Sequence, residues 1–207
     1  VIEDDYDSEF RMTGRPIAPL FSIDAAGKVL YLNSFAKSLG SAFRIAYLVL
    51  PAELATRFNS ELGFYSNTVS SLDQLALASF IEGGYYERHI NRLRTRARRV
   101  QDVLVGELRN GSLSERLHFH GLGGGLHFVV ELDDPRSEEV LAGLADREGV
   151  LLSPLSSFFL GNDEMGDKAT ASSSSELTDG PCFVLRYGGA DESAARASAH
   201  ALEAAWT

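Results

Sequence analysis

The stretch that most constrains how this chain can fold runs from Tyr85 to about Arg109. There Ile90, Leu93, Ala97, Val100, Leu104 and Leu108 step by three and four residues, while arginines fill the other face. The spacing predicts one long amphipathic helix, ended by Asn110-Gly111. Before it, Val29 to Leu32 and Ile45 to Leu50 read as short strands. Pro51-Ala52-Glu53-Leu54 reads as a helix start, and Ser70-Ser71-Leu72-Asp73 opens a second helix that runs to Gly83-Gly84. After it, Leu117 to His120 and Leu126 to Leu132 read as strands around the glycine-rich turn Gly121 to Gly125. A helix over Ser137 to Ala145, a strand near Val150 to Leu152, a strand over Phe183 to Tyr187 and an alanine-rich helix over Asp191 to Trp206 complete the pattern. The polar, serine-rich stretch from Gly161 to Gly180 is expected to be a loop. Strands alternating with helices make the chain α/β or α+β: a piece of a parallel-sheet layer over residues 1–83, then a small α+β domain over residues 84–207 entered through the long helix.

Composition narrows the function classes. With 207 residues, 44% of them hydrophobic and 23% charged, the chain can bury a sizeable core. A formal net charge of −10 argues against nucleic-acid binding by this stretch itself, because phosphate contacts need a basic face. The single cysteine, Cys182, excludes an internal disulfide and fits a reducing, cytoplasmic compartment. No apolar run approaches the ~20 residues that span a bilayer, and nothing singles out a metal site. Val1-Ile2 runs straight into Glu3-Asp4-Asp5 with no leader, so the chain is expected to be part of a larger protein.

Three short elements carry chemistry. Glu3-Asp4-Asp5-Tyr6 ends a strand, Ser34-Phe35-Ala36-Lys37 follows another, and Arg44 precedes the next. Ligands of open α/β sheets lie beyond the carboxyl ends of strands, so residues from two such ends can meet in one pocket. Pyridoxal phosphate needs this set of groups. A lysine amine forms an imine with its aldehyde, and a carboxylate keeps the pyridine nitrogen protonated. A tyrosine hydroxyl bonds the ring oxygen, and serine with arginine suits the phosphate. Lys37, Asp4, Tyr6, Ser34 and Arg44 supply them. Each alone would be an ordinary surface residue; their combination in this order carries the reading.

The segments EDDYDSEFR, YLNSFAKSL and FRIAYLVLP, continued by GGGLHFVVEL, GVLLSPLSSFF and FVLRYGG, resemble the aminotransferase-like domain of MocR-type regulators of the GntR family over nearly the whole chain. The resemblance implies part of the large domain of a fold-type I, pyridoxal-phosphate-dependent transferase followed by its small C-terminal domain. It also implies Asp4 at the pyridine nitrogen, Tyr6 near the ring oxygen, Lys37 as the imine lysine, Ser34 and Arg44 at the phosphate, and Arg186 gripping an amino-acid carboxylate. The chain departs from the family pattern at Ala36, where a hydroxyl residue is usual, at Ser41 in place of proline, and at Ala46 in place of glycine.

Two functions follow as expectations. In the first, the chain senses an amino-acid-like effector within a homodimeric regulator whose DNA contacts are made only by an N-terminal winged helix outside this sequence; alone, it binds cofactor weakly or not at all. In the second, it is a class I/II aminotransferase in which Lys37 also shuttles a proton. EDDYDSEFR favours the first. A poorer third reading is a remnant that only dimerises.

Overall fold

A computed structural model describes residues 1–12, 17–159 and 180–207. The expected loop from Gly161 to Gly180 therefore lies outside the described residues except for Gly180 itself. The chain forms two compact units, Val1–Arg94 and Thr95–Thr207, and no helix among the described residues is long and apolar enough to cross a membrane.

The first unit contains β1 (Ile2–Asp4), α1 (Leu20–Ile23), β2 (Leu30–Ser34), α2 (Ala36–Leu39), β3 (Ala46–Val49), α3 (Ala52–Leu62), α4 (Ser71–Glu82) and the first turns of α5 (Tyr85–Asn110). Its sheet has the order β1-β2-β3. β1 pairs with β2 in parallel, Asp4 opposite Leu32, as the sequence pattern led one to expect. β3, however, runs antiparallel to β2, Ser34 opposite Ala46 and Tyr31 opposite Val49. The physical reason is length: a parallel return needs a crossover of about a dozen residues or more. The link here is only α2 and a turn, closed where Phe35 N–H donates to Ile45 O at 2.9 Å.

Local chemistry sets the boundaries in this unit. Glu3 accepts from the backbone N–H groups of Leu20 and Phe21 at 2.7 and 2.8 Å, and so caps α1. Asp24 accepts from the N–H groups of Ala26, Lys28 and Val29, which, with Gly27 at φ +62°, shapes the turn into β2. Pro51 precedes α3, and Ser70 Oγ accepts from Leu72 N–H at the start of α4.

The second unit holds the rest of α5 with β4 (Leu117–His120), β5 (His127–Leu132), α6 (Glu138–Arg147), β6 (Ser153–Pro154), β7 (Cys182–Arg186) and α7 (Glu192–Trp206). The sheet is antiparallel in the order β4-β5-β7-β6. Val100, Leu104 and Leu108 of α5 are buried, as are Phe128, Val130 and Leu132 of β5, Phe183 and Leu185 of β7, and Leu202 and Trp206 of α7. Trp206 lies 5.4 Å from Phe183, and its indole N–H donates to Leu141 O. The strand expected near Val150 to Leu152 is replaced by β6, one step later. Val150 N–H is still committed to Ala145 O at the end of α6, and Gly149 turns the chain at φ +82°.

Candidate functional site

The antiparallel return of β3 gathers the candidate residues at one rim of the first sheet. Asp4 is the last residue of β1 and Ser34 the last of β2. Arg44 lies two residues before β3, whose first residue, Ala46, faces Ser34. Strand alternation and register put Asp4, Leu32 and Ser34 on one face of the sheet. Asp4, Tyr6, Ser34, Lys37 and Arg44 are all exposed.

Beyond Asp4 the chain turns. Asp5 N–H continues the ladder to Leu32 O at 2.9 Å, and Tyr6 N–H folds back onto Asp4 O at 3.0 Å. The Lys37 ammonium lies over the Tyr6 ring, 4.7 Å from its centroid. Two of the predicted residues, from separate segments of sequence, are thus in contact. Among the described residues no ion pair joins Lys37, Asp4 or Arg44 to another side chain. Arg186, the last residue of β7, belongs to the second unit, where its guanidinium lies 6.0 Å from the centre of the Phe158 ring.

α2, which carries Lys37, is fixed by the residue that follows. Ser38 is buried; its hydroxyl accepts from Tyr86 Oη at 3.1 Å, and its carbonyl meets His89 Nε2 at 2.7 Å. Phe35 packs edge-on against Tyr86 at 5.7 Å. Burial raises the Tyr86 phenol above its ordinary pKa, so it stays a neutral donor to Ser38. Sequence reasoning gave no role to Ser38, Tyr86 or His89.

On the opposite face of the sheet lies a second group that the sequence did not mark. Tyr31 Oη donates to Asp5 Oδ2 at 2.5 Å, Ser8 Oγ donates to the same oxygen at 2.9 Å, and Asn33 Nδ2 donates to Tyr31 Oη at 3.1 Å. Burial, reinforced by the bond to Asp5, pushes the Tyr31 phenol well above its usual range. The available signal was alternation alone: Glu3, Asp5, Tyr31 and Asn33 occupy the odd positions of paired strands.

Comparison with known proteins identifies the family and the fold. Residues 7–166 match the profile of the family "Aminotransferase class I and II". The chain is 35% identical, over its whole length and 40% of the relative, to "Uncharacterized HTH-type transcriptional regulator YhdI" of Bacillus subtilis. It is 36% identical, over 77% of its length and 32% of the relative, to "Probable rhizopine catabolism regulatory protein MocR" of Rhizobium meliloti. A third relative is the "HTH-type pyridoxine biosynthesis transcriptional regulator PdxR" of Corynebacterium glutamicum, 34% identical over 78% of this chain and 34% of that protein. The chain therefore spans well under half the length of these curated relatives. Among solved structures, the kynurenine aminotransferase of Pyrococcus horikoshii superposes with a TM-score of 0.75 over 99% of this chain and 46% of its own, at 22% identity. Aminotransferase Aro8 of Candida albicans gives 0.76 over 99% and 49%, at 21% identity. These structures establish the fold, that of part of a fold-type I aminotransferase. The chain belongs to the class I and II aminotransferase family, as an aminotransferase-like domain of the MocR type.

Proposed function

We propose that this chain is the effector-sensing, pyridoxal-phosphate-binding part of a MocR-type, GntR-family regulator. The observation that carries the proposal is the Lys37 ammonium over the Tyr6 ring, at the rim where Asp4 ends β1. The donor set fits the cofactor: an amine, a carboxylate, a phenol, a hydroxyl and a guanidinium, all exposed at one edge of a sheet. Pyridoxal phosphate, when bound, supplies an aldehyde and an electron-withdrawing ring. Lys37 would attach the group covalently. Asp4 would hold a proton at the ring nitrogen, and Tyr6 would donate to the ring oxygen. Ser34 and Arg44 would take the phosphate, and Arg186 would bind the carboxylate of an amino-acid-like effector through its planar fork.

In this reading the effector acts by preferring one conformation of a homodimer in the cytoplasm, and DNA is bound by a part of the regulator other than this chain. The relatives named as transcriptional regulators support it over an aminotransferase acting on a free amino acid.

The test is titration of the intact protein with pyridoxal phosphate. A visible absorption band should appear, and borohydride should fix the cofactor's mass to the peptide carrying Lys37. Lys37→Ala should show neither. Labelling of another lysine, or no band in the wild type, overturns the assignment.

A further inference from the structure

We propose that the Asp5 carboxylate, held by the hydroxyls of Tyr31 and Ser8, is a positioning residue that sets the orientation of Asp4 and Tyr6 toward the cofactor; this rests on the pyridoxal-phosphate reading above. Asp4 ends β1 and Asp5 extends its ladder by one rung, so their side chains leave opposite faces of the sheet. Asp4 points to the face shared with Leu32 and Ser34 and is exposed. Asp5 points to the face of Tyr31, where it is half-buried and accepts two hydroxyl hydrogen bonds on one oxygen.

The backbone between them makes the turn that matters. Asp5 N–H is the last rung to β2, and at the next residue Tyr6 N–H bends back to Asp4 O. Beyond Tyr6 the chain goes inward at Asp7 and Phe10, both buried, so Asp5 is the anchor on the strand side of Tyr6. Tyr6 itself is exposed and touches Lys37 through its ring. The rear contacts of Asp5 therefore hold the backbone between Asp4 and Tyr6, and with it the way both are presented at the front. Tyr31 can serve as a fixed post because its ring lies against Phe21 at 6.0 Å and Tyr47 at 6.1 Å, while Asn33 donates to its oxygen. Two adjacent carboxylates thus divide the work: one faces the ligand, the other holds the strand end in place.

The experiment uses the intact protein and pyridoxal phosphate, with Tyr31→Phe, Asp5→Ala, Asp5→Asn and the double variant Asp5→Ala/Tyr31→Phe. Tyr31→Phe keeps the ring contacts and removes only the hydroxyl. Asp5→Asn keeps an acceptor oxygen. A hydrogen bond to a charged group is worth about tenfold or more in an equilibrium constant, so Asp5→Ala and Tyr31→Phe should each raise the cofactor Kd by roughly tenfold. Because Tyr31 acts through its bond to Asp5, the double variant should lose no more than Asp5→Ala alone. Asp5→Asn should restore binding to within about threefold, since a neutral acceptor keeps most of the bond.

Circular dichroism of the cofactor band at saturation reports its orientation, and it should change in Asp5→Ala and Tyr31→Phe but not in Asp5→Asn. A loss of stability alone would leave that signal unchanged once the site is filled. Variants with wild-type affinity and dichroism, or losses that add in the double variant, overturn the positioning role alone. A wild type that fails to take up cofactor, indistinguishable from Lys37→Ala, overturns both this proposal and the reading it rests on.

Discussion

Asp134 shows at the scale of a single residue how the second unit is tied together. Its buried carboxylate takes Arg136 at 2.7 Å and is bonded by Arg116, and Arg136 also reaches Trp206 O at 2.9 Å near the chain end. The two guanidiniums, Arg136 first, hold the Asp134 carboxyl far below the usual carboxylate range. A depressed native pKa contributes stability that is complete above the unfolded value, near 4, and fades as pH falls through it toward the native value. Asp134→Asn is therefore expected to cost roughly 2 kcal/mol at neutral pH, by loss of a buried partner for two cations. Urea midpoints of wild type and variant should converge as the pH drops below about 4. A gap that stays constant into acid would show that the charge is not what stabilises this corner. Cys182 lies in the same unit with its thiol pushed up to about 11 by burial, and by Glu131 and Glu138 after that. It is thus expected to stay protonated and to react slowly with iodoacetamide at neutral pH in the native protein, and readily once urea exposes it.

Elements were legible where their signals are local and hidden where they are not. Ser70, Ser137 and Asp191 each sit before a helix, and each side chain accepts from the first turn. The three-and-four spacing of α5 likewise puts Ile90, Ala97, Val100, Leu104 and Leu108 inside. Replacing Asp191 by alanine removes the acceptor for Ala194 N–H, 2.8 Å away, and should lower stability by about 1 kcal/mol; Asp191→Ser should recover most of it. Equal midpoints for Asp191→Ala and wild type would count against the cap.

The direction of β3 could not be read, because it depends on how much chain lies between two strands once α2 has formed, and apolar alternation is the same in either direction. The rear group of Asp5, Tyr31 and Asn33 was hidden for a related reason. Asp5 and Tyr31 are 26 positions apart, and only the parallel register of β1 on β2 brings them together. The rim residues Asp4, Lys37 and Arg44 were accessible because each stands at the boundary of a strand that composition reveals.

At the scale of the whole chain, the two units differ in how completely they cover their apolar surface. In the second, Phe128, Phe183, Leu202 and Trp206 are almost wholly enclosed. In the first, Ile2 on β1 is 73% exposed, Leu48 on β3 50%, Phe64 76% and Leu72 on α4 76%. Ile2, Leu48 and Asp4 share one sheet face, so the apolar exposure is continuous with the rim proposed to hold the cofactor. A sheet of three short strands with one open face is marginal in water, and strands of that kind open locally at low cost. Amide exchange of the 207-residue chain should therefore be fast across β1 to β3 and slow across β5 and β7. The same 207 residues are expected to bind pyridoxal phosphate more weakly than a protein as long as the curated relatives, of which this chain spans at most 40% in YhdI, MocR and PdxR. Ordering the rim would then draw on the binding energy itself, and the apparent affinity falls by the fraction of molecules in which the rim is formed. Equilibrium dialysis of both forms, alongside exchange, decides the point. Equal cofactor affinity, with β1 to β3 protected as well as β5 and β7, would mean that the first unit is already rigid and that its open apolar face needs no cover.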